Sequence, residues 1–178
     1  PGARERFLPF PGWTLPGVIS IGAAQTLTNL HRVRPGKRVM VVGMDPLALS
    51  ITQEMKRAGV DVVGIALPPP GAAAGEMALP AAVIGRLAQV ASMAPGVGLR
   101  LAARLFGGRL RRFGAILAGI DVVSVWGIPL HLRKAVMRIN GQEQVESVVL
   151  ARIGVNGAVG RMEPALPVDA VCISGGLY

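Results

Sequence analysis

Residues 38–48, RVMVVGMDPLA, place an apolar run, a glycine and a helix start at a spacing that could hold a pyrophosphate. In a dinucleotide-binding turn the first glycine permits a sharp bend after a strand. The second lets phosphate oxygens approach the backbone, and a third small residue lets helix and strand pack closely. Those three places fall on Gly43, Asp45 and Ala48. Gly43 and Ala48 suit the pattern, since alanine is accepted at the third place. Asp45 does not, because its carboxylate would stand where phosphate oxygens rest, at the positive end of the following helix. Two unit charges about 4 Å apart repel by about 4 kcal/mol at an effective dielectric near 20, enough to weaken binding about a thousandfold. The same carboxylate could instead cap the helix, accepting the N–H groups that a phosphate would engage.

A second determinant is an acidic residue closing the next strand, about 20 residues on, that binds ribose hydroxyls. The sequence there is GIALPPPG, where Ala66 and Leu67 offer no carboxylate and no arginine stands in for 2′-phosphate recognition. The position-matched cofactor residues are therefore Gly43, Met44, Asp45, Pro46, Leu47, Ala48 and Ala66, and NAD(P) binding at them is expected to be impaired. The competing reading is a working NAD(P)H site that tolerates Asp45.

The remaining reactive side chains form no constellation. His31 and His131 have no carboxylate or serine at a suggestive spacing and read as surface or helix-end histidines. Cys172 sits in an apolar run and reads as a small buried hydrophobe. Asp121 and Asp169 each open an apolar stretch and read as turn or cap groups. Trp13 and Trp126 read as core or interface packing. The seven methionines are not grouped, and no G-x-S-x-G is present. No catalytic residue and no metal site is assigned.

The elements that position the 38–48 stretch are legible from periodicity. Residues 1–20 are proline- and glycine-rich and read as an extended, turn-rich segment. GAAQTLTNLHRV follows as a helix with Ala24, Leu27 and Leu30 on one face. RVMVVG (38–43) is a short apolar strand of the kind buried in a parallel sheet. PLALSITQEMKRAG (46–59) is a helix with Pro46 in its first turn, Lys56 and Arg57 in its last, and Gly59 at its end. VDVVGIAL (60–67) is the second strand, parallel to the first through a right-handed crossover. Residues 67–78 are a loop, 79–94 a helix, and 97–118 one or two more. The spacing predicts a strand over 119–128 that continues the parallel pattern, a hairpin over 135–153 turning at Asn140-Gly141, and a last apolar strand over 168–176. The expected class is α/β: a Rossmann-like parallel sheet with helices on both faces plus an antiparallel β-meander at about 135–167.

At 178 residues and 51% hydrophobic residues the chain can bury a substantial core. No apolar run reaches the ~18–20 residues of a membrane span. A single cysteine excludes an internal disulfide framework, so a cytoplasmic setting is the default. The net charge of +9 raises nucleic acid as a partner. Its densest cluster, GGRLRRFG (107–114), interleaves arginines with leucines at helical spacing, which suits a solvated or partner-facing helix better. No strand carries spaced aromatics for base stacking, so no nucleic-acid partner is expected. The opening Pro-Gly and closing Ser-Gly-Gly-Leu-Tyr read as cuts through a longer chain.

Two further segments carry a family resemblance. PGARERFLPFPGWTLPGV is similar to the A-T-G-A linker, followed by proline-rich residues, that joins the FAD and NAD domains of pyridine nucleotide-disulfide oxidoreductases. Pro1, Gly2 and Ala3 take its T-G-A portion. VDAVCISGGLY resembles the returning segment, with Asp169 opening the strand and Gly175-Gly176-Leu177 in the turn back to the FAD domain. Within that superfamily, PFPGWTLPGV followed by GAAQTL looks most like the flavoprotein subunits of opine oxidases, hydrogen cyanide synthases and proline or hydroxyproline dehydrogenases.

The resemblance implies a hinge segment at 1–20 leading from an FAD domain of the same polypeptide, an NAD(P)-binding-like Rossmann domain at 21–167 and a return hinge strand at 168–178. It implies FAD in the full-length protein, oxidation of an amine, opine or amino acid, and other oxidoreductase subunits as partners. The family's upstream FAD-binding GxGxxG and the Cys-x4-Cys redox pair of its disulfide reductases are absent from these residues, so the stretch by itself is expected to be inactive. A subunit-docking module without cofactor, built on the Arg-rich 97–118 stretch, is the alternative from a different class.

Overall fold

A computed structural model describes residues 5–71, 73–83 and 121–176. The helix expected over 97–118, the Arg-rich cluster at 107–114 and all of the 79–94 helix beyond Val83 lie outside the described residues, as do Pro1, Gly2, Ala3 and Leu177.

The centre of the molecule is built from two segments with almost no polar side chains. Val39, Met40, Val41 and Val42 in strand β2 (Arg38–Val42) are all fully buried. So is most of β3 (Asp61–Leu67), which pairs parallel to it. A strand buried on both faces needs cover on both sides, and the alternation of its residues between two apolar clusters supplies it. Val39, Val41, Ile65 and Leu67 enter one cluster, and Met40, Val42 and Ala66 the other.

The first cluster is closed by helix α2 (Pro46–Arg57), whose buried residues Ala48, Leu49, Ile51, Thr52 and Met55 recur at helical spacing. Burying Ile51 and Met55 completely contributes about 1.5–3 kcal/mol each. The short helix α1 (Ile21–Gln25) adds Ile21 and Ala24 to the same side. The second cluster is closed by Leu8 and Phe10 of the N-terminal segment and by Ala74 and Ala78 around a 3-10 turn (Gly75–Ala78). Residues 80–83 begin the expected helix after the loop.

The sheet has nine strands among the described residues. Strand β1 (Val18–Ser20) pairs parallel with β9 (Ala170–Ile173), which pairs parallel with β2. On the other side β3 pairs parallel with β5 (Ile128–Asn140), and β5 continues into an antiparallel run with β6 (Ser147–Ile153) and β7 (Val159–Met162). The two-residue β8 (Leu166–Pro167) also pairs with β6. The expected α/β class, with a parallel sheet and an antiparallel meander, is the one observed.

Three local expectations need correction. The 119–128 stretch is not one strand continuing the parallel pattern. Strand β4 (Val122–Val125) runs antiparallel to β5, with a turn at Trp126-Gly127, and β5 is the strand that lies parallel to β3. Periodicity saw one apolar run because Trp126 and Gly127 interrupt it without a charge or a proline. Both residues take positive φ, 53° and 71°, which is what a tight two-residue hairpin turn requires. The second hairpin does not turn at Asn140-Gly141 alone. Asn140 pairs directly with Ser147, and residues 141–146 form the loop.

The third correction concerns the helix after β1, which changes to π geometry over Thr26–Leu30. That wider turn buries Thr28 and leaves Leu30 72% exposed, breaking the Ala24, Leu27, Leu30 stripe.

Candidate functional site

The end of β2 and the start of α2 meet at Gly43–Ala48, in the crevice outside the carboxyl ends of the parallel strands where ligands bind in open α/β sheets. Gly43 has φ +108° and its N–H donates to the Ala66 carbonyl at 2.8 Å. A Cβ at Gly43 would lie 2.2 Å from the backbone oxygen of Ser174. The glycine is thus demanded by the close passage of the chain leaving β9, with no ligand needed to explain it.

Asp45 is the N-cap of α2, in extended conformation (φ −117°, ψ 169°), and Pro46 follows in the first turn. Its Oδ1 accepts the Ala48 N–H at 2.9 Å. Its Oδ2 accepts a short hydrogen bond from the hydroxyl of Ser174. Both Asp45 and Ser174 are buried, at 9% and 2% exposure. The carboxylate therefore fills the helix N-terminus from within, taking both the amide and the electrostatic role that a phosphate oxygen would have.

The other position-matched residues divide by exposure. Met44, Ala48 and Ala66 are buried, Leu47 is half-buried and Pro46 is exposed. Met44 and Ala48 belong to the cluster under α2, and Ala66 to the cluster on the opposite face of the sheet. Ala48 shows why a small residue belongs at the third place: it is fully buried in the cluster between helix and sheet.

Ser174 is the residue that the sequence pattern missed. It stands immediately before Gly175-Gly176, far from the turn in sequence, and only the parallel pairing of β2 with β9 brings it to Asp45. Its own N–H donates to the Val42 carbonyl at 2.7 Å, which fixes the hydroxyl against the turn.

His131 is also placed differently from its expectation. It lies half-buried on β5 opposite Ala66, rather than at a surface or a helix end. Gly64 makes room for it, since a Cβ there would meet its Nε2 at 2.8 Å. Its Nδ1 is buried without a hydrogen-bond partner. Burial, then the Lys134 ammonium, lower its pKa from 6.5, and the Glu163 carboxylate opposes them in part. Lys134 and Glu163 form an ion pair at 2.7 Å.

Asp169 holds the start of β2, its two oxygens accepting the Lys37 and Arg38 N–H groups at 3.0 and 2.9 Å, as a cap group would. Asp121 instead joins Arg152 at 2.8 Å and Arg133 at 3.8 Å. Burial pushes the Cys172 thiol up to about 12, which leaves it unreactive at neutral pH, as a small buried hydrophobe should be. Trp126 is half-exposed at its hairpin turn, and Trp13 packs against exposed Phe7. Among the described residues no group of His, Cys, Asp and Glu could hold a metal ion, and no helix is long and apolar enough to cross a membrane.

No protein-family model matches the chain. Among curated proteins it is 29% identical over 150 residues to the hydrogen cyanide synthase subunit HcnB of Pseudomonas aeruginosa, covering 84% of this chain and 27% of that protein. It is 42% identical over 59 residues to an opine oxidase subunit of Agrobacterium tumefaciens, covering 33% of this chain and 12% of that protein. The chain thus spans about a quarter or less of the length of these relatives. Among solved structures, FprA of Mycobacterium tuberculosis in complex with NADPH aligns over 97% of this chain and 48% of its own, with 19% identity and a TM-score of 0.48.

Proposed function

We propose that this chain, which belongs to the oxidoreductase family containing the hydrogen cyanide synthase and opine oxidase subunits, is the dinucleotide-fold domain of an FAD-dependent enzyme. That enzyme oxidises an amine, opine or amino acid, and its NAD(P) binding is impaired here. One observation carries the second part of this reading. The Asp45 carboxylate caps α2 through Ala48 N–H and is anchored on its other side by the Ser174 hydroxyl, so the phosphate place already holds an anion.

An enzyme that passes electrons from an amine to flavin has no need of a nicotinamide. A dinucleotide fold retained in such an enzyme serves as scaffold, and its phosphate place is free to be filled from within.

The division into hinge and body follows the same reading. We assign 1–20 and 168–178 as the two crossings to an FAD domain of the same polypeptide, with 21–167 as the inserted body. Two contacts support it. Arg6 N–H donates to the Gly176 carbonyl at 3.0 Å, and a Cβ at Gly175 would lie 2.0 Å from the Arg6 oxygen. An incoming and an outgoing segment that meet at one place suit an insertion.

The test is titration of the protein with NADH and NADPH before and after Asp45→Gly. The wild type is expected to bind neither at micromolar concentration. The substitution is expected to raise affinity by up to about a thousandfold, the reverse of about 4 kcal/mol of charge repulsion. Micromolar binding by the wild type, unchanged by the substitution, would favour the competing reading of a working NAD(P)H site.

A further inference from the structure

At the opposite end of α2, about 18 Å from Asp45 at 1.5 Å per residue, the helix borders a surface groove of about 470 Å³. Thr28, Asn29, Arg32, Arg34, Glu54 and Arg57 are among its lining residues. Three guanidinium groups against one carboxylate leave the groove with an excess of positive charge. Among the described residues none of the three has an ion-pair partner. The groove's carboxylate, Glu54, is engaged by the Asn29 amide at 2.6 Å.

Two further observations mark the groove. Thr28 is 5% exposed, and its hydroxyl is buried without a hydrogen-bond partner. Arg32 holds φ +57°, directly after the π turn, at a position where glycine or asparagine would ordinarily end the helix. The fold keeps an arginine there against its backbone preference. Arginine is the side chain whose planar fork matches phosphate oxygens in pairs.

We propose that this groove binds a phosphate group, held by Arg32, Arg34 and Arg57. The volume falls in the range of small-molecule sites. Val33, 51% exposed and also on the lining, offers an apolar surface for the organic part of a phosphate ester. The site is separate from the α2 N-terminus, so it stands or falls independently of NAD(P) binding.

The experiment is calorimetric titration of the whole protein with inorganic phosphate and with phenyl phosphate, against sodium chloride at matched ionic strength. Saturable binding of at least one phosphate compound is expected, weakened tenfold or more in the Arg34→Gln/Arg57→Gln protein. Equal affinity for both compounds assigns the site to free phosphate. Tighter binding of phenyl phosphate assigns it to an ester. Arg32→Gly provides a control that should not unfold the chain, because glycine adopts the same φ without strain. It is expected to weaken binding while raising Tm by about 2–4 °C. No saturable binding beyond that of chloride, or undiminished binding in the double variant, overturns the proposal.

Discussion

The two ends of α2 invert what a helix of this fold is expected to offer. Its N-terminus, the natural seat of an anion, is filled by the carboxylate of Asp45 and locked by Ser174. Its C-terminal end carries Arg57 beside Arg32 and Arg34, three cations that share the groove with the single carboxylate of Glu54 and form no ion pair among the described residues. Basic residues in a last turn are favourable to the helix dipole, but one such residue suffices for that. Three converging on a groove exceed what the helix needs. The contrast teaches that the helix end which a fold offers to an anion and the chain's charge imbalance need not coincide.

The largest test of this contrast is at Gly43. If the glycine serves the turn's packing, as its approach to Ser174 indicates, Gly43→Ala should destabilise the protein by about 3–5 kcal/mol in denaturant unfolding, from a positive φ and an overlap with backbone together. A phosphate-only role for the glycine predicts little change in stability. Next in size is Ser174→Ala, which leaves a buried carboxylate oxygen without its donor and should cost about 1–3 kcal/mol. Neither substitution should alter phosphate binding at the far groove.

Much of the N-terminal end was legible in the sequence, and almost none of the other. The strand, turn and helix at 38–57 follow from local signals: an apolar run, a glycine, an aspartate before proline, and basic residues in the last turn. Asp45 as N-cap needs only its own three-residue reach to Ala48. Its Ser174 partner could not be read, because it depends on which strand returns beside β2.

The arginine groove was hidden for a similar reason. Arg32 and Arg34 sit in a loop, Arg57 ends a helix, and only the folded chain brings them to one surface. The antiparallel β4–β5 hairpin was missed because its turn residues, Trp126 and Gly127, carry no signal that an apolar strand would not also tolerate. The cover of the second sheet face by Leu8 and Phe10 was equally unreadable, since it depends on where the N-terminal segment lies.

A smaller effect sharpens the C-terminal side of the comparison. Glu54 shares the groove with the three arginines, tied to Asn29. Glu54→Gln keeps the shape and removes a negative charge facing the proposed phosphate. Affinity for inorganic phosphate should rise about threefold to fivefold, within the usual worth of a solvent-screened charge. A fall in affinity would mean that Glu54 orients the arginines and that their surplus is not free to take an anion.

The smallest expected effect separates the two ends by acid. His131 lies opposite Ala66, whose carbonyl receives the Gly43 N–H, so it belongs to the N-terminal side of the comparison. Burial and the Lys134 ammonium lower its pKa from 6.5, so the fold favours the neutral ring. The unfolded chain then takes up this proton at a higher pH than the folded one does. Stability from this group is complete above pH 6.5 and is lost as the pH falls below it, until the folded ring also protonates. Urea unfolding between pH 7.5 and 5 should show that decline, and His131→Gln should flatten it. His131 is not among the residues that line the arginine groove at the other end of α2. The same pH series on Arg34→Gln/Arg57→Gln should therefore keep the wild-type slope. A slope that vanished there would tie the two ends together and break the contrast between them.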